Sequence, residues 1–386
     1  MVTSTVHKRL DDGPYRVMVV DDSAVIRGIV TRWLEADPDM MVVASCANGA
    51  QALRVAAAKA CEVIVLDIEM PEMDGIAALP QLVREVPGVQ VVMSSTLTRR
   101  NADISLRALA MGAADYVAKP ESLRGGATAE DFRRELVDKV KALAISARRR
   151  SGGGVPAMQT APVIPYSAPV KSGGTIASPA ASSLRPFSRE KPAILAIGSS
   201  TGGPQALMSV LAALAPDLSV PVVVTQHMPA TFTALLAEHL SKATNRPCAE
   251  GRDGDVLAPG SVMIAPGGQH MELVKDNAQQ VRVALNTNPP ENYCRPSVDP
   301  MFRSVARIYG PRVLGLVLTG MGSDGREGSR AVVAAGGAIV AQDEATSVVW
   351  GMPGAVAAAG LCSAILPLGQ IASELKRVIG GGARAA

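Results

Sequence analysis

Aromatic residues are scarce, at 3% of a 386-residue chain, so a stacking platform for single-stranded nucleic acid is not expected. Charge is also sparse: Asp, Glu, Lys and Arg make up 19% of positions and balance to +3, which excludes a strongly electrostatic nucleic-acid binder. No run reaches 18 consecutive apolar residues, so no membrane-spanning helix is expected. The polar stretch 1–14 lacks the apolar heart of a signal peptide, which points to a cytoplasmic protein. The five cysteines are odd in number and never spaced C-x-x-C, as expected of free thiols in a reducing compartment rather than a disulfide or zinc framework.

What the chain does have is apolar mass. Hydrophobic residues are 48% of the total, mostly Ala, Val, Leu and Ile, enough for the cores of layered α/β domains. The length suits two or three domains. One stretch breaks the pattern: of the 40 residues from Ser151 to Glu190, 24 are Gly, Pro, Ala or Ser. Such a segment cannot bury enough surface to offset its chain entropy and reads as a linker. The expected organisation is a leader at 1–14, a first domain at 15–147, a linker at 148–190, a second domain at 191–380 and a tail at 381–386.

Both domains alternate strand and helix, so the fold class is α/β with two doubly wound units. In the first, strands are expected at Arg16–Val20, Met41–Ser45, Val63–Leu66, Val89–Met93 and Asp115–Ala118, closing with a long helix near Asp131–Ser146. In the second, strands are expected at Ala193–Ile197, Pro221–Thr225, Val262–Ala265, Val313–Leu318, Ala338–Ala341 and Ala364–Pro367. A hairpin over Glu272–Leu285 makes a mixed sheet possible there.

Ligands of open parallel sheets sit beyond the carboxyl ends of the strands. In the first domain those ends carry Asp21 and Asp22, then Asp67, then Ser94-Ser95, then Lys119. Clustered carboxylates need a cation, and hard oxygen donors suit Mg²⁺. A lysine and a hydroxyl beside them suit a phosphoryl group. Read singly, Asp-Asp is an ordinary loop and Asp67 a helix cap; four such positions on successive strand ends argue for a site. These residues, in the motifs VVDDSAVIR, VLDIEMPEMDG and YVAKP, resemble the receiver domain of two-component response regulators. The resemblance implies a (βα)₅ fold and a phosphoryl group accepted by Asp67 from a kinase histidine. It also implies Mg²⁺ held by Asp21, Asp22, Asp67 and the Glu69 carbonyl, and Lys119 on the phosphoryl oxygens. The switch hydroxyl is Ser95 or Ser94.

In the second domain, Gly198-Ser199-Ser200-Thr201-Gly202 gives G-x-S-x-G between a strand and a helix. That turn lifts a serine above the sheet toward backbone N–H donors, though alone it equally suits a phosphate-binding turn. A serine nucleophile needs a base, and the chain has four histidines. His227 ends an apolar strand on the same sheet edge; His270 is the weaker competitor, His239 lies within an amphipathic helix and His7 in the leader. For the orienting acid, Asp324 in the glycine-rich turn after Leu318 is favoured over Asp299 and Asp343. The order Ser, His, Asp differs from that of α/β-hydrolases and marks a convergent arrangement.

The motifs IGSSTGGP, TQHMP, RPSVD, LTGMGSDG and VWGMPG resemble the chemotaxis protein-glutamate methylesterase family. The second domain is then a mostly parallel serine hydrolase, and the chain a hydrolase switched on by phosphorylation. The resemblance implies hydrolysis of glutamate methyl esters on chemoreceptors with release of methanol, deamidation of receptor glutamines, and no cofactor for the ester chemistry. It gives the Met321 N–H a role at the oxyanion and Thr201 a role in assisting His227. The implied partners are a chemotaxis histidine kinase and the cytoplasmic domains of chemoreceptors, with a monomeric enzyme, no nucleic acid and no membrane insertion. The competing readings are a phosphorylation-gated binding module, a serine esterase with another substrate, and a DNA-binding regulator; the last lacks a helix-turn-helix after the linker.

Overall fold

The computed structural model describes residues 13–96, 98–120, 127–152 and 184–381. Most of the expected leader, the stretch 153–183 of the expected linker and the tail from 382 onward lie outside the described residues.

The first domain has strands β1 (Tyr15–Val20), β2 (Met40–Cys46), β3 (Val63–Asp67), β4 (Gln90–Thr96) and β5 (Asp115–Lys119). They form a parallel sheet in the order β2-β1-β3-β4-β5. The intervening helices are α1 (Ala24–Glu35), α2 (Gly49–Lys59), α3 (Gly75–Glu85), α4 (Arg99–Ala110) and α5 (Ala127–Gly152). All five residues of β3 are buried, as an apolar run covered on both faces requires. Helix starts follow the side chains available: the oxygens of Ser23, Asn48, Asp74 and Thr98 each accept from a backbone N–H in the first turn of their helix.

The second domain carries β6 (Ile194–Ser199), β7 (Val222–Gln226), β8 (Cys248–Glu250), β9 (Val262–Ile264), β10 (His270–Lys275), β11 (Val281–Asn286), β12 (Val313–Val317), β13 (Ala338–Gln342) and β14 (Ala364–Leu366). Its helices are α6 (Gly203–Leu214), α7 (Ala230–Thr244), α8 (Val298–Tyr309), α9 (Arg326–Ala334), α10 (Met352–Ala358) and α11 (Leu368–Ile379). Seven strands pair in the order β14-β13-β12-β6-β7-β9-β8, all parallel. The mixed sheet allowed by the sequence does not form. The hairpin β10-β11 is a separate antiparallel pair, because Met271, Leu273 and Val283 turn into the core with Met301, Phe302 and Val305 of α8.

The domain boundaries also move. Helix α5 continues through Gly152 rather than stopping at 147, since its last turns find partners: Arg148 pairs with Glu62 at 2.7 Å and donates to the Gly13 carbonyl at 2.8 Å. On the other side, residues 184–190 lie on the second domain rather than in a linker. The Arg185 N–H donates to the Cys362 carbonyl at 2.9 Å, and the Arg377 guanidinium lies 5.5 Å from the Phe187 ring centre.

The two domains share one apolar core. Leu106, Leu109 and Tyr116 of the first domain belong to the same buried cluster as Leu207, Phe232 and Leu236 of the second. The Tyr116 and Phe232 rings stack at 4.2 Å and 6°.

Candidate active site

In the first domain, Asp21 directly follows β1 and Asp67 ends the adjacent β3. Both are buried, and Asp22 is exposed. Oxygens of all three lie within 4.8 Å of one another. Lys119, ending β5, places its Nζ 2.6 Å from Asp21 Oδ2 and 2.7 Å from Asp67 Oδ1. Burial pushes the Asp67 carboxyl up to about 6; the Lys119 ammonium pulls against it and the Asp21 charge adds to it. The site therefore holds more negative charge than one lysine balances. A donor set of three hard carboxylate oxygens fits a divalent cation of the Mg²⁺ type. Ser94 pairs in register with Asp67. The Ser95 Oγ lies 2.9 Å from the Ser105 Oγ on α4. Ser105 spends its hydrogen on the Asn101 carbonyl at 2.8 Å, so Ser95 is the donor in that contact. Ser94 thus lies across from Asp67 on the neighbouring strand, and Ser95 is tied to α4. Glu69 is exposed, two residues beyond Asp67.

In the second domain, three neighbouring strand ends meet. Ser200 follows β6, His227 follows β7 and Asp324 lies in the turn after β12; in the sheet β6 stands between the other two. This is where the strand order reverses direction, the place where open α/β sheets form crevices. Gly202, at φ 74°, makes the turn under Ser200. The Ser200 N–H donates to the Thr319 carbonyl at 3.1 Å, and Gln226 Nε2 donates to the Ser200 carbonyl at 2.9 Å. On the other side of Ser200, a Cβ on Gly320 would meet Met352 Sδ and lie 2.8 Å from the Ser200 Cβ. Gly320→Ala is therefore expected to destabilise the fold by about 1–3 kcal/mol and to displace Ser200, read as a lower Tm together with a lower kcat.

The His227 N–H continues the β6-β7 pairing by donating to the Ser199 carbonyl at 3.1 Å. Its Nε2 lies 2.7 Å from Asp324 Oδ2. Asp324 accepts six hydrogen bonds in all, from His227, Asn292 Nδ2, Ser297 Oγ and the N–H groups of Val298, Asp299 and Gly325. Burial alone would raise this carboxyl, but His227 and the other donors outweigh it and hold it down at about 2. In the neutral ring the proton then sits on Nε2, facing the carboxylate, and Nδ1 is the basic nitrogen. Nδ1 lies 3.4 Å from Cys294 Sγ. The Ser200 hydroxyl makes no hydrogen bond among the described residues, and neither does the Met321 N–H.

The other candidates hold structure together. His270 Nδ1 accepts from the Ser297 N–H at 3.2 Å, and its Nε2 lies 3.2 Å from the Pro289 carbonyl. Asp299 accepts from the Gly328 N–H and from Asn292; burial and the nearby Asp324 charge push it up to about 6. Asp343 caps a turn at Thr346. His7 lies outside the described residues. Sequence reasoning missed Asn292 and Cys294, which no motif signal marks. It also missed Ser297, whose place before α8 reads as a helix cap although its hydroxyl goes to Asp324.

The first domain covers this mouth. Thr201, next to Ser200, donates its hydroxyl to Asp115 Oδ2 at 2.7 Å. Gln205 Nε2 donates to the carbonyls of Ala113 at 2.8 Å and Leu109 at 3.2 Å. Helix α4 faces α7 through Arg99–Glu238 at 2.8 Å and Asp103–His239 at 3.0 Å. His239, which the sequence suggests is a surface residue of an amphipathic helix, is an interdomain contact. Met321 and Val348 pack on the cluster that contains Val140 and Phe132 of α5.

A receiver-like domain with its carboxylate–lysine cluster, packed against the strand ends that carry Ser200, His227 and Asp324, defines the class: a two-domain response regulator with an enzymatic output half. Residues 17–127 match the response regulator receiver domain family, and residues 195–375 match the CheB methylesterase family. The protein-glutamate methylesterase/protein-glutamine glutaminase of group 2 operon of Rhodopseudomonas palustris is 51% identical over 372 residues, 95% of each chain. The protein-glutamate methylesterase/protein-glutamine glutaminase 1 of Paramagnetospirillum magneticum is 53% identical over 368 residues, covering 94% of this chain and 96% of its own. The solved catalytic domain of Thermotoga maritima CheB methylesterase is 38% identical, covering 49% of this chain and 99% of its own, with a TM-score of 0.47. The chain belongs to the protein-glutamate methylesterase/protein-glutamine glutaminase family.

Proposed function

We propose that this protein hydrolyses methyl esters of glutamate side chains on chemoreceptors, releasing methanol, deamidates receptor glutamines, and is switched on by phosphorylation of its receiver domain for chemotactic adaptation. The observation that carries the reading is the His227–Asp324 pair at 2.7 Å on the strand ends that flank Ser200. Ser200 Oγ attacks the ester carbonyl as His227 Nδ1 takes its proton. Asp324 orients the ring and stabilises the imidazolium. The imidazolium then protonates the departing methoxide, and water enters by the same route to free the carboxylate. The Met321 N–H, which makes no hydrogen bond among the described residues, donates to the oxyanion. No cofactor is needed for these steps.

In the receiver domain, Asp67 takes the phosphoryl group from a chemotaxis histidine kinase, and Lys119 holds its oxygens. Asp21, Asp22, Asp67 and the Glu69 carbonyl would hold Mg²⁺, which supplies charge neutralisation when bound. The enzyme acts as a cytoplasmic monomer on the cytoplasmic domains of its receptors. Among the described residues, no helix is long and apolar enough to cross a membrane. Methanol release from receptor membranes carrying labelled methyl groups tests the substrate, with Ser200→Ala as control. Hydrolysis of small esters without methanol from receptors makes the protein a serine esterase of other specificity. Loss of neither activity in Ser200→Ala removes the nucleophile assignment.

The docked receiver is the resting state in this reading. The Asp115–Thr201 bond is charge-assisted and worth roughly 1.5–3 kcal/mol. Asp115→Ala is expected to raise the activity of unphosphorylated protein by about tenfold or more, toward that of the fragment from Leu184 to Ala386. Lys139, which pairs with Asp115 at 3.2 Å, keeps Glu135 at 2.9 Å and the Tyr116 carbonyl at 2.7 Å, so the substitution strands no buried cation. Basal rates measured on the three proteins decide the point; equal rates reject occlusion.

A further inference from the structure

The sequence places Cys294 in no motif of known chemistry, yet the fold brings it to the basic nitrogen of the hydrolytic histidine. The placement is built. Glu291 and Cys294 exchange backbone hydrogen bonds at 3.1 and 3.0 Å. Between them, Asn292 at φ 54° and Tyr293 at φ 62° are two successive non-glycine residues in the left-handed region. Such conformations are strained for residues other than glycine and persist where the surroundings over-determine them. Here the turn is held at both ends. Arg303 grips Glu291 at 2.6 and 2.7 Å, and Asn292 Nδ2 donates to both Asp299 and Asp324 at 2.9 Å. The carboxylate that orients one side of the imidazole therefore also fixes the turn that presents a thiol to the other.

We propose that Cys294 is a positioning residue of the hydrolytic site: its thiol occupies Nδ1 of His227, the nitrogen that must take the proton of Ser200, and so sets when the base is free. This rests on the reading of Ser200 and His227 given above. Two states follow from moving one proton. In the first, Cys294 S–H donates to neutral Nδ1. In the second, the proton has passed from sulfur to Nδ1, leaving a thiolate beside an imidazolium flanked by the Asp324 carboxylate. The imidazolium cannot accept a proton from Ser200, so only the first state, with the thiol turned away, leads to ester attack. Burial alone would lower the His227 pKa; Cys294 and Asp324 outweigh it and hold it up at about 10. These two are the titratable groups that act directly on the ring. Asp299 acts on Asp324, and Glu291 is bound by Arg303.

A general base works above its own pKa, so a partner that raises that pKa moves the acidic limb of the activity profile upward. Cys294→Ala is expected to move the acidic limb of kcat/KM down by about one pH unit or more, a gain of about tenfold at a pH on the limb. A substitution that merely loosened packing would lower kcat at every pH and leave the limb in place. The second readout needs no ester. Iodoacetamide alkylates the thiolate, forming S–C and expelling iodide, while the thiol proton stays on Nδ1. Burial raises the thiols of Cys46 and Cys248, and pushes Cys61 up to about 11 and Cys362 to about 12, so peptide mapping at pH 7 should find Cys294 labelled first. In Ser200→Ala protein, adding His227→Gln is expected to slow Cys294 labelling by about tenfold or more, with folding checked by Tm. An unmoved limb in Cys294→Ala, or equal labelling with and without the imidazole, overturns the proposal. Labelling that depends on His227 in a protein that releases no methanol from receptors leaves the thiol–imidazole pair standing and removes the substrate assignment instead.

Discussion

Ser200→Ala and His227→Ala protein are each expected to keep no more than about a thousandth of the wild-type kcat for methanol release. The two losses should not multiply in the double variant, because both side chains serve one proton transfer. The structure explains the asymmetry expected for the third member. Asp324 accepts six hydrogen bonds from its surroundings, so Asp324→Asn disturbs the α8 start and the 291–294 turn as well as the imidazole. Its phenotype should combine a kcat loss with a lower Tm, whereas Ser200→Ala, whose hydroxyl has no partner among the described residues, should melt like wild type. The same carboxyl gives a pH signature. Its folded pKa of about 2 lies below the ordinary value of 3.8, so its stabilising effect is fully present above that value. The effect is lost as pH falls toward 2, and the stability difference between wild type and Asp324→Asn should shrink over that window.

Asp67→Ala protein is expected to take up no label from a small-molecule phosphodonor under conditions that fully label wild type, and its esterase activity should not respond to the donor. Asp21 and Asp22 lie close enough to Asp67 to share a cation, but of the three only Asp67 is the last residue of a strand, in register with Ser94. Chelation of divalent cations should abolish labelling of wild type as well. Label persisting on Asp67→Ala at the wild-type rate would move the acceptor to another carboxylate. Activation persisting without label would detach the receiver's chemistry from the enzyme's output.

Much of this was legible in the sequence because strand ends in parallel sheets are marked locally. Asp21, Asp67, Lys119, Ser200 and His227 each sit where an apolar run stops, and the runs themselves resolve into buried parallel strands. The hairpin β10-β11 misled because alternation reveals a strand but not which sheet receives it. The end of α5 was missed because Ser151 and Gly152 lower helix propensity, while long-range pairs such as Arg148–Glu62 hold the last turns in place. Cys294, Asn292 and the Thr201–Asp115 bond were illegible for a different reason. They join residues 67, 32 and 86 positions apart in the chain, in ways that only tertiary packing decides.

Both halves of the docking face, from Asp115 and Tyr116 to Thr201 and Phe232, belong to a single polypeptide. Their encounter is governed by an effective concentration, on the order of millimolar for tethered modules, rather than by the amount of protein in the cell. A contact too weak to survive between separate molecules at micromolar levels is then strong enough to keep the mouth covered within one. Release then depends on disturbing α4 and β5, whose Leu106, Leu109 and Tyr116 share a buried cluster with Leu207 and Phe232. A receiver fragment supplied apart from its catalytic partner should leave that partner uninhibited at micromolar concentrations, and cleavage of the connection between the domains should act as an irreversible version of phosphorylation.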